Sequence, residues 1–407
     1  MPLISPTRAL NIIRKYTRPL PSIRVPLAEA MGYCLAEDVC ADRDIPPRAR
    51  SAMDGYAVRA ADAAKVPYTL RLVGEVAAGS PARPRVLPGT CVAIMTGANV
   101  PPGADAVAVV EHARLDEDKG IVTFREPVKK GANILRPGED AKKGVRLLAK
   151  HTPLGPLQIG VCAAVGESKP RAYRLPRVAV FGTGTELVEA EAKVRPHEVR
   201  DSNGPALKAA LAIWGFNDVT VGRAADDVKG LTSRLRRLVA KRDVVLLTGG
   251  VSVGKYDFVP EAVERLGATV RFHGVAMKPG KPVLYATLPG NRHIFGLPGP
   301  PLSAMTGLNE FALPALRRMS GFAAGALRPS LYVRLASPVT SKGGRVRFVL
   351  ARLAWRGEGV AAVPVKSKSS ADLVAGGKAD GAIVVPREAK ELAAGTLVEF
   401  RPWRPLP

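Results

Sequence analysis

The sequence predicts a multidomain α/β protein with a central parallel α/β domain, on three observations. Between residues 173 and 322 short apolar runs alternate with amphipathic helical patterns, the grammar of a right-handed parallel α/β sheet. From Tyr68 to Val128 the text changes to short runs separated by Gly and Pro, TLRLVGEV, CVAIMTGA, ADAVAVVEH and IVTFREPV, which read as strands of an inserted β-rich domain. Beyond 323 strands return, as LYVRLAS, RVRFVLARL, VAAVPVK, GAIVVP and TLVEF, and form a terminal β-domain.

The stretch from Asp243 to Asp257, DVVLLTGGVSVGKYD, writes a buried strand, a glycine turn and a helix opening in succession. Thr248, Gly249, Gly250, Ser252 and Gly254 combine permissive backbone with hydroxyls, and the N–H groups of a following helix favour an anion. The stretch is suited to phosphate, although a tight strand-to-helix turn in a protein that binds nothing there has similar residues.

The chain of 407 residues is 46% hydrophobic and 24% charged, enough for two to four domains with their own cores. No apolar run reaches the roughly 18 residues of a membrane span. The start, MPLISPTRALNIIRKY, lacks a signal peptide's apolar core, so a cytoplasmic protein without membrane contact is expected. Cys34, Cys40, Cys91 and Cys162 form no CxxC pair, which argues against a disulfide framework or structural zinc. The formal charge of +24 has two readings, a field that attracts anionic substrates or solvated faces rich in Arg. Nucleic acid is not expected, because the basic residues are scattered and aromatics are only 5%.

In chain order, residues 6–16 have helical spacing, and Pro26 to Met31 repeats it more briefly before Gly32. Cys34 to Val39 is a short strand candidate, and RDIPPRAR is a proline-broken loop. In SAMDGYAV the Asp54–Gly55 pair reads either as a hairpin turn or as part of a site. Thr96 lies in a turn, and Glu139–Asp140 could face a cation or simply be solvated. After a strand-poor stretch, 152–172, VAVFGTGTEL repeats the strand and glycine turn and ends on Glu186. Asp201-Ser202-Asn203 caps a helix that Gly215 closes. VTVGRAADD ends on Asp226 and Asp227, a helix runs from Val228 to Lys241, and a last helix from Leu302 to Met319. Ligands of such sheets sit at the carboxyl ends of strands. Glu186, Asp226, the 248–254 loop and the 278–282 loop all fall at such ends, so acids from separate segments are expected around one anion pocket.

Several motifs together resemble the molybdopterin molybdenumtransferase family, which includes the C-terminal domain of gephyrin. They are SAMDGYAVR (51–59), IMTGA (94–98), GADAV (103–107), RPGED (136–140), GTELV, DSN, DD, TGGVSVGKYDF, MKPGKP and LPGPPLSA (297–304). Their order and spacing over nearly the whole chain carry the resemblance. It implies insertion of molybdate into adenylylated molybdopterin with release of AMP, in molybdenum cofactor biosynthesis. It also implies a helical linker domain (1–60 and 138–172), the inserted β-rich domain (61–137), a molybdopterin-binding α/β domain (173–322) and a C-terminal β-barrel (323–407). Magnesium, a homodimer and contact with a molybdopterin adenylyltransferase belong to the same expectation.

Roles carried over from the family place Asp54, Thr96, Glu186, Asp226 and Asp257 in catalysis, and Asp140, Glu186, Asp226 and Asp257 on the metal. Thr248, Gly249, Gly250, Ser252 and Gly254 would hold the pterin phosphate. Lys278, Lys281, Pro298, Ser303, Arg345 and Ser370 would form the rest of the substrate site, with donors for molybdate, a dianion. For each acid a cap or turn role stands beside the functional one. The chain also departs from the pattern. Ala49–Arg50 replaces an aspartate-asparagine pair, Thr185 an aspartate, Pro300 an asparagine and Leu350 a basic residue, with Arg352 close by. A non-catalytic carrier or scaffold, or a paralogue with altered oxyanion selectivity, is therefore the alternative.

Overall fold

A computed structural model describes residues 2–80, 84–224, 227–252, 254, 257–357 and 359–404. The chain divides into two compact units, one of Met1–Glu37, Lys150–Ile159 and Lys169–Pro407, the other of Asp38–Ala149 and Gly160–Ser168. No helix among the described residues is long and apolar enough to cross a membrane.

The smaller unit is built on β1 (Gly55–Val58), β2 (Tyr68–Val76), β3 (Thr90–Ile94), β4 (Ala106–Val109), β5 (Ala113–Asp116) and β6 (Ile121–Phe124). Their order is β4-β1-β3-β2-β6-β5, with only the β2–β3 pair parallel. One face packs Tyr56, Tyr68 and Phe124, the last two stacked at 4.7 Å. The other packs Ala57, Val92, Ile94 and Val107. The Asp54–Gly55 pair is not a hairpin turn. Ser51 pairs with Ile134, whereas β1 runs between β3 and β4. Gly55 has no side chain because a Cβ there would lie 1.9 Å from the Ala108 carbonyl oxygen.

The larger unit holds a six-stranded sheet of β7 (Val178–Thr183), β8 (Val219–Ala224), β9 (Val244–Thr248), β10 (Thr269–His273), β11 (Leu284–Leu288) and β12 (Arg292–Leu297). The order is β8-β7-β9-β12-β11-β10. The first four are parallel, as the βα alternation predicts, while β11 is antiparallel to both neighbours. A parallel return needs a crossover of a dozen or so residues. Only Pro289, Gly290 and Asn291 separate β11 from β12, with the last two at φ 78° and 59°.

The helices of this unit include α1 (Pro6–Tyr16), α2 (Asn203–Ile213), α3 (Val228–Lys241), α4 (Val259–Arg265), α5 (Pro301–Gly307) and α6 (Leu313–Met319). Strand residues alternate between two cores. Val178, Val180, Val244 and Leu246 pack with Ile13 and Leu211. Ala179, Phe181, Val245 and Leu247 pack with Leu231, Leu235 and Val263. Capping follows the sequence. Asp201 accepts from the Gly204 N–H at 3.0 Å, and Asp227 from the Gly230 N–H at 2.8 Å.

Elsewhere the elements are shorter than their patterns. Pro26 to Met31 supports only the 3-10 turn Leu27–Glu29, and Cys34 to Val39 reduces to bridges at Cys34 and Leu35 before the strand Val39–Cys40. The helical pattern VPEAVERLG is present as a helix over Val259–Arg265.

The terminal strands β13 (Leu331–Leu335), β14 (Val346–Arg356), β15 (Gly359–Pro364), β16 (Gly381–Val385) and β17 (Leu397–Pro402) close into a barrel. The ring runs β13-β15-β14-β16-β17 and back to β13, leaving no free sheet edge. Met277–Lys278 pairs in parallel with Val346–Arg347 and ties the barrel to the α/β domain.

Between α5 and α6 the helix widens into a π turn, Leu308–Ala312, where Glu310 is 1% exposed. Its carboxylate accepts from Arg401 of β17 at 3.0 Å and from Arg328 at 2.9 Å. Removing one partner of such a pair leaves a buried charge uncompensated. Glu310→Ala is therefore expected to destabilise the chain by about 3–5 kcal/mol, measured as a fall in Tm. Arg401→Met together with Glu310→Leu should recover part of that loss.

A second buried polar group lies on β12. His293, 1% exposed, contacts the Tyr285 hydroxyl through Nδ1 and the Asn291 side-chain Oδ1 through Nε2, both at 3.0 Å. Burial pushes its pKa down to about 4, against a smaller upward pull from Asp243. The unfolded chain thus takes up this proton near pH 6.5 and the native chain only near pH 4. The contribution of the neutral ring is complete above pH 6.5 and is lost as pH falls from there to about 4. Denaturant titrations at pH 7 and pH 4.5 should show a smaller loss of stability in His293→Gln than in the native chain.

Candidate functional site

The loops at the carboxyl ends of β9 and β12 and the segment 277–282 open onto a cavity of about 660 Å³. Gly249, Gly250, Ser252 and Asp257 line one wall, and Lys278, Lys281, Pro298 and Ser303 the next. The barrel supplies Arg345 and Ser370, the latter held by a bond from the Leu302 N–H to its carbonyl at 3.0 Å. The β9 loop is fixed by its backbone. The Gly249 N–H donates to the Leu297 carbonyl at 3.0 Å, and the Val259 N–H to the Gly250 carbonyl at 3.0 Å. The Gly254 N–H donates to Asp257 Oδ2 at 2.6 Å and orients that carboxylate. Thr248 lies underneath, 2% exposed, and its carbonyl accepts from the Thr183 hydroxyl at 3.2 Å.

The charge of the cavity is one-sided. Among the described residues, Lys278, Lys281, Arg345, Arg347 and Lys368 line it against one carboxylate, that of Asp257. None of these cations forms an ion pair among the described residues; Arg347 donates to the Thr340 carbonyl at 2.8 Å. Unpaired cations around a low-dielectric concavity make an anion site.

The gathering of several acids around this pocket is not observed. Of the predicted acids among the described residues, only Asp257 lines it. Glu186 is exposed on the turn after β7, its carboxylate folded over Gly184. The reason is local. Leu187–Val188 pairs with Val199–Arg200 in a separate ribbon, and the Glu186 carbonyl accepts from the Val199 N–H at 2.8 Å. Asp226 lies outside the described residues. Asp54, Thr96 and Asp140 belong to the smaller unit.

In that unit Asp54 and Thr96 do meet. Asp54 Oδ1 accepts from the Thr96 N–H at 2.6 Å and the Thr96 hydroxyl at 2.9 Å. These two bonds hold the carboxyl below the usual carboxylate range. Thr96 and Asp140 line a second cavity, of about 410 Å³, together with Arg50.

No group of three or more His, Cys, Asp or Glu side chains able to hold a metal occurs among the described residues. The carboxylate oxygens of Asp257 would suit magnesium, which takes one or two carboxylates and completes its shell with water and substrate phosphate.

Sequence reasoning missed Arg347, Lys368 and Trp403 in the larger cavity. The Arg345-Val346-Arg347 spacing puts both guanidinium groups on one face of a strand, which alternation alone could have revealed. Nothing in the sequence brings Trp403 to the site, because its place depends on closure of the barrel.

A multidomain α/β protein with a cationic, glycine-lined pocket at the carboxyl edge of its sheet and a closed terminal barrel is the class these features define. Three family models match in succession: the MoeA N-terminal region (domain I and II) over residues 4–166, the "probable molybdopterin binding domain" over 179–318, and the MoeA C-terminal region (domain IV) over 332–403. A Staphylococcus aureus protein named molybdopterin molybdenumtransferase is 32% identical over 385 residues, 94% of this chain and 91% of the relative. A crystal structure of a Pyrococcus horikosii molybdopterin biosynthesis MoeA protein superposes with a TM-score of 0.80 at 31% identity, covering 100% of both chains. A second, from Pyrococcus horikoshii OT3, gives a TM-score of 0.83 at 28% identity, over 98% of this chain and 100% of the other. The chain belongs to the molybdopterin molybdenumtransferase family.

Gly249 is the position where the pocket depends most on the absence of a side chain. Its φ is 90°, and a Cβ would lie 2.7 Å from the Thr183 carbonyl oxygen. Gly249→Ala should cost about 1–3 kcal/mol of stability. It should also weaken molybdopterin binding, measured by titration calorimetry, by more than Gly325→Ala, a substitution into open space.

Proposed function

We infer that the chain is a molybdopterin molybdenumtransferase acting in molybdenum cofactor biosynthesis, with adenylylated molybdopterin and molybdate as substrates and AMP as a product. The observation that carries the reading is the set of five cations facing one carboxylate in the 660 Å³ cavity. Both substrates are anions, so both gain from such a field. The Gly249–Gly250 backbone and Ser252 are placed to take the pterin phosphate, since backbone without Cβ atoms lets phosphate oxygens approach closely. Lys278, Lys281 and Arg345, with the hydroxyls of Ser303 and Ser370, supply the several donors that a tetrahedral dianion needs.

The transfer breaks the phosphoanhydride bond of the adenylylated pterin. Water supplies the oxygen that replaces the cleaved P–O bond, so the phosphate stays on the pterin and AMP departs, while molybdate exchanges two of its four oxygens, released as water with the two thiol protons and two protons from solution, for bonds to the two dithiolene sulfurs. The cations of the cavity offset the charge that develops on the separating phosphates. Magnesium would be held by Asp257, the predicted acid that lines the cavity, and would supply Lewis-acid charge neutralisation at the phosphates. The Gly254 N–H keeps the Asp257 carboxylate in place without consuming both of its oxygens.

Purified protein given adenylylated molybdopterin, molybdate and magnesium is expected to release AMP, followed by chromatography. Asp257→Ala should slow release by at least about 100-fold, the scale of one lost electrostatic contact at a reacting centre, with Tm unchanged. An unchanged rate in Asp257→Ala would remove that residue from the site. Binding of molybdopterin with no AMP from the native chain would leave only the carrier reading.

A further inference from the structure

The β9 loop is held at three successive residues, and the third anchor is a side chain from another strand. Main-chain bonds tie Gly249 to β12 and Gly250 to α4, whereas the Val251 carbonyl accepts from Nε2 of His273 at 2.7 Å. A carbonyl oxygen only accepts, so Nε2 carries a proton in the neutral and the charged ring alike. The Val251 side chain is fixed as well. It is 2% exposed, packs with Val259 and Leu284, and lies so near β12 that a Cβ on Gly296 would come within 2.6 Å of its Cγ1. With the side chain buried on one side and the carbonyl held on another, the peptide plane between Val251 and Ser252 has one orientation.

That orientation sets the direction of the donor across the same peptide. In a trans peptide the N–H points opposite to the C=O, so the Ser252 N–H is directed away from His273. Ser252 lines the 660 Å³ cavity, and its N–H donates to no other described residue. His273 is itself held by its strand. It pairs with Leu284 of β11, the Gly274 N–H donates to the Val283 carbonyl at 2.9 Å, and the Ile4 N–H donates to the Gly274 carbonyl at 3.3 Å. The chain then runs into Met277 and Lys278 of the other wall, and the Val275 N–H donates to the Lys281 carbonyl at 2.8 Å. One imidazole therefore joins the glycine wall to the lysine wall without lining the cavity itself.

We propose that His273 is a positioning residue for this cavity: by holding the Val251 carbonyl it aims the Ser252 N–H at the phosphate of the pterin substrate. The inference rests on the reading of the β9 loop as the phosphate site. A donor fixed before the ligand arrives costs no reordering on binding, and misplacing it by a fraction of the bond length loses the contact. What counts at position 273 is an N–H at the place of Nε2, not the ring or its charge.

The test compares the native full-length chain with His273→Phe, which keeps a planar ring and loses the donor, and with His273→Gln, whose amide nitrogen takes the place of Nε2. His273→Leu replaces His273→Phe if the latter does not fold, as judged by melting curves. Molybdopterin binding is measured by titration calorimetry, and loop order by amide hydrogen exchange over residues 249–252. The donor-less variant should bind molybdopterin about tenfold more weakly, the scale of one lost hydrogen bond to a charged group, and its loop should exchange faster. In the transfer assay its KM for adenylylated molybdopterin should rise by a similar factor while its KM for molybdate stays the same. His273→Gln should recover binding and exchange together. Equal binding by the native and donor-less chains would overturn the proposal, as would an equal loss in His273→Gln, since the donor would then not matter. A native chain that binds molybdopterin but releases no AMP would count against the transfer reading and leave His273 in its role, because calorimetry needs no turnover. No binding of molybdopterin by the native chain would remove the phosphate reading of the loop, and this inference with it.

Discussion

The buried pairing of Glu310 with Arg401 and Arg328 is the constraint on which the larger unit depends. Glu310 sits in the π turn between α5 and α6, and Arg401 in β17 is 3% exposed, so each charge is tolerated only because the other is present. An ion pair of this kind adds little net stability over an apolar substitute, but it is intolerant of misplacement. It therefore fixes where the barrel docks on the helix that follows the Pro298–Pro301 turn. That docking defines the cavity, because Arg345, Arg347 and Ser370 reach the glycine loop only when the barrel is in place.

Much of the architecture was readable from periodicity. The α/β alternation located β7, β8, β9 and β12, and the helix read from Val228 to Lys241 is present over those residues, with Asp227 as its cap in the structure. The antiparallel entry of β11 was less visible. It follows from a three-residue connection whose turn chemistry, Pro289-Gly290-Asn291, overrides the expectation of a crossover. The Asp54–Gly55 pair illustrates the opposite error. A dipeptide typical of hairpins owes its glycine to the close approach of the Ala108 carbonyl, a contact that only the assembled sheet reveals.

The site divides along the same line. Residues next to strand ends, such as Gly249 and Lys278, were identified because position on an α/β sheet already implies a ligand. Glu186 satisfies the same rule of position and yet turns outward, since the short ribbon formed by Leu187–Val188 governs its direction and sequence spacing does not encode that pairing. Lys368 and Trp403 come from segments far along the chain, and only the closed barrel brings them to the pocket.

The two walls of the larger cavity are joined by main-chain bonds as well as by the ion pair. Met277–Lys278 continues the sheet to Val346–Arg347, and Leu302 donates to the carbonyl of Ser370. Backbone bonds of this type persist whatever side chains the same residues carry. The groups that meet the anion can therefore be exchanged one at a time while the frame stays intact, which gives this scaffold freedom to drift from one oxyanion to another without first becoming unstable.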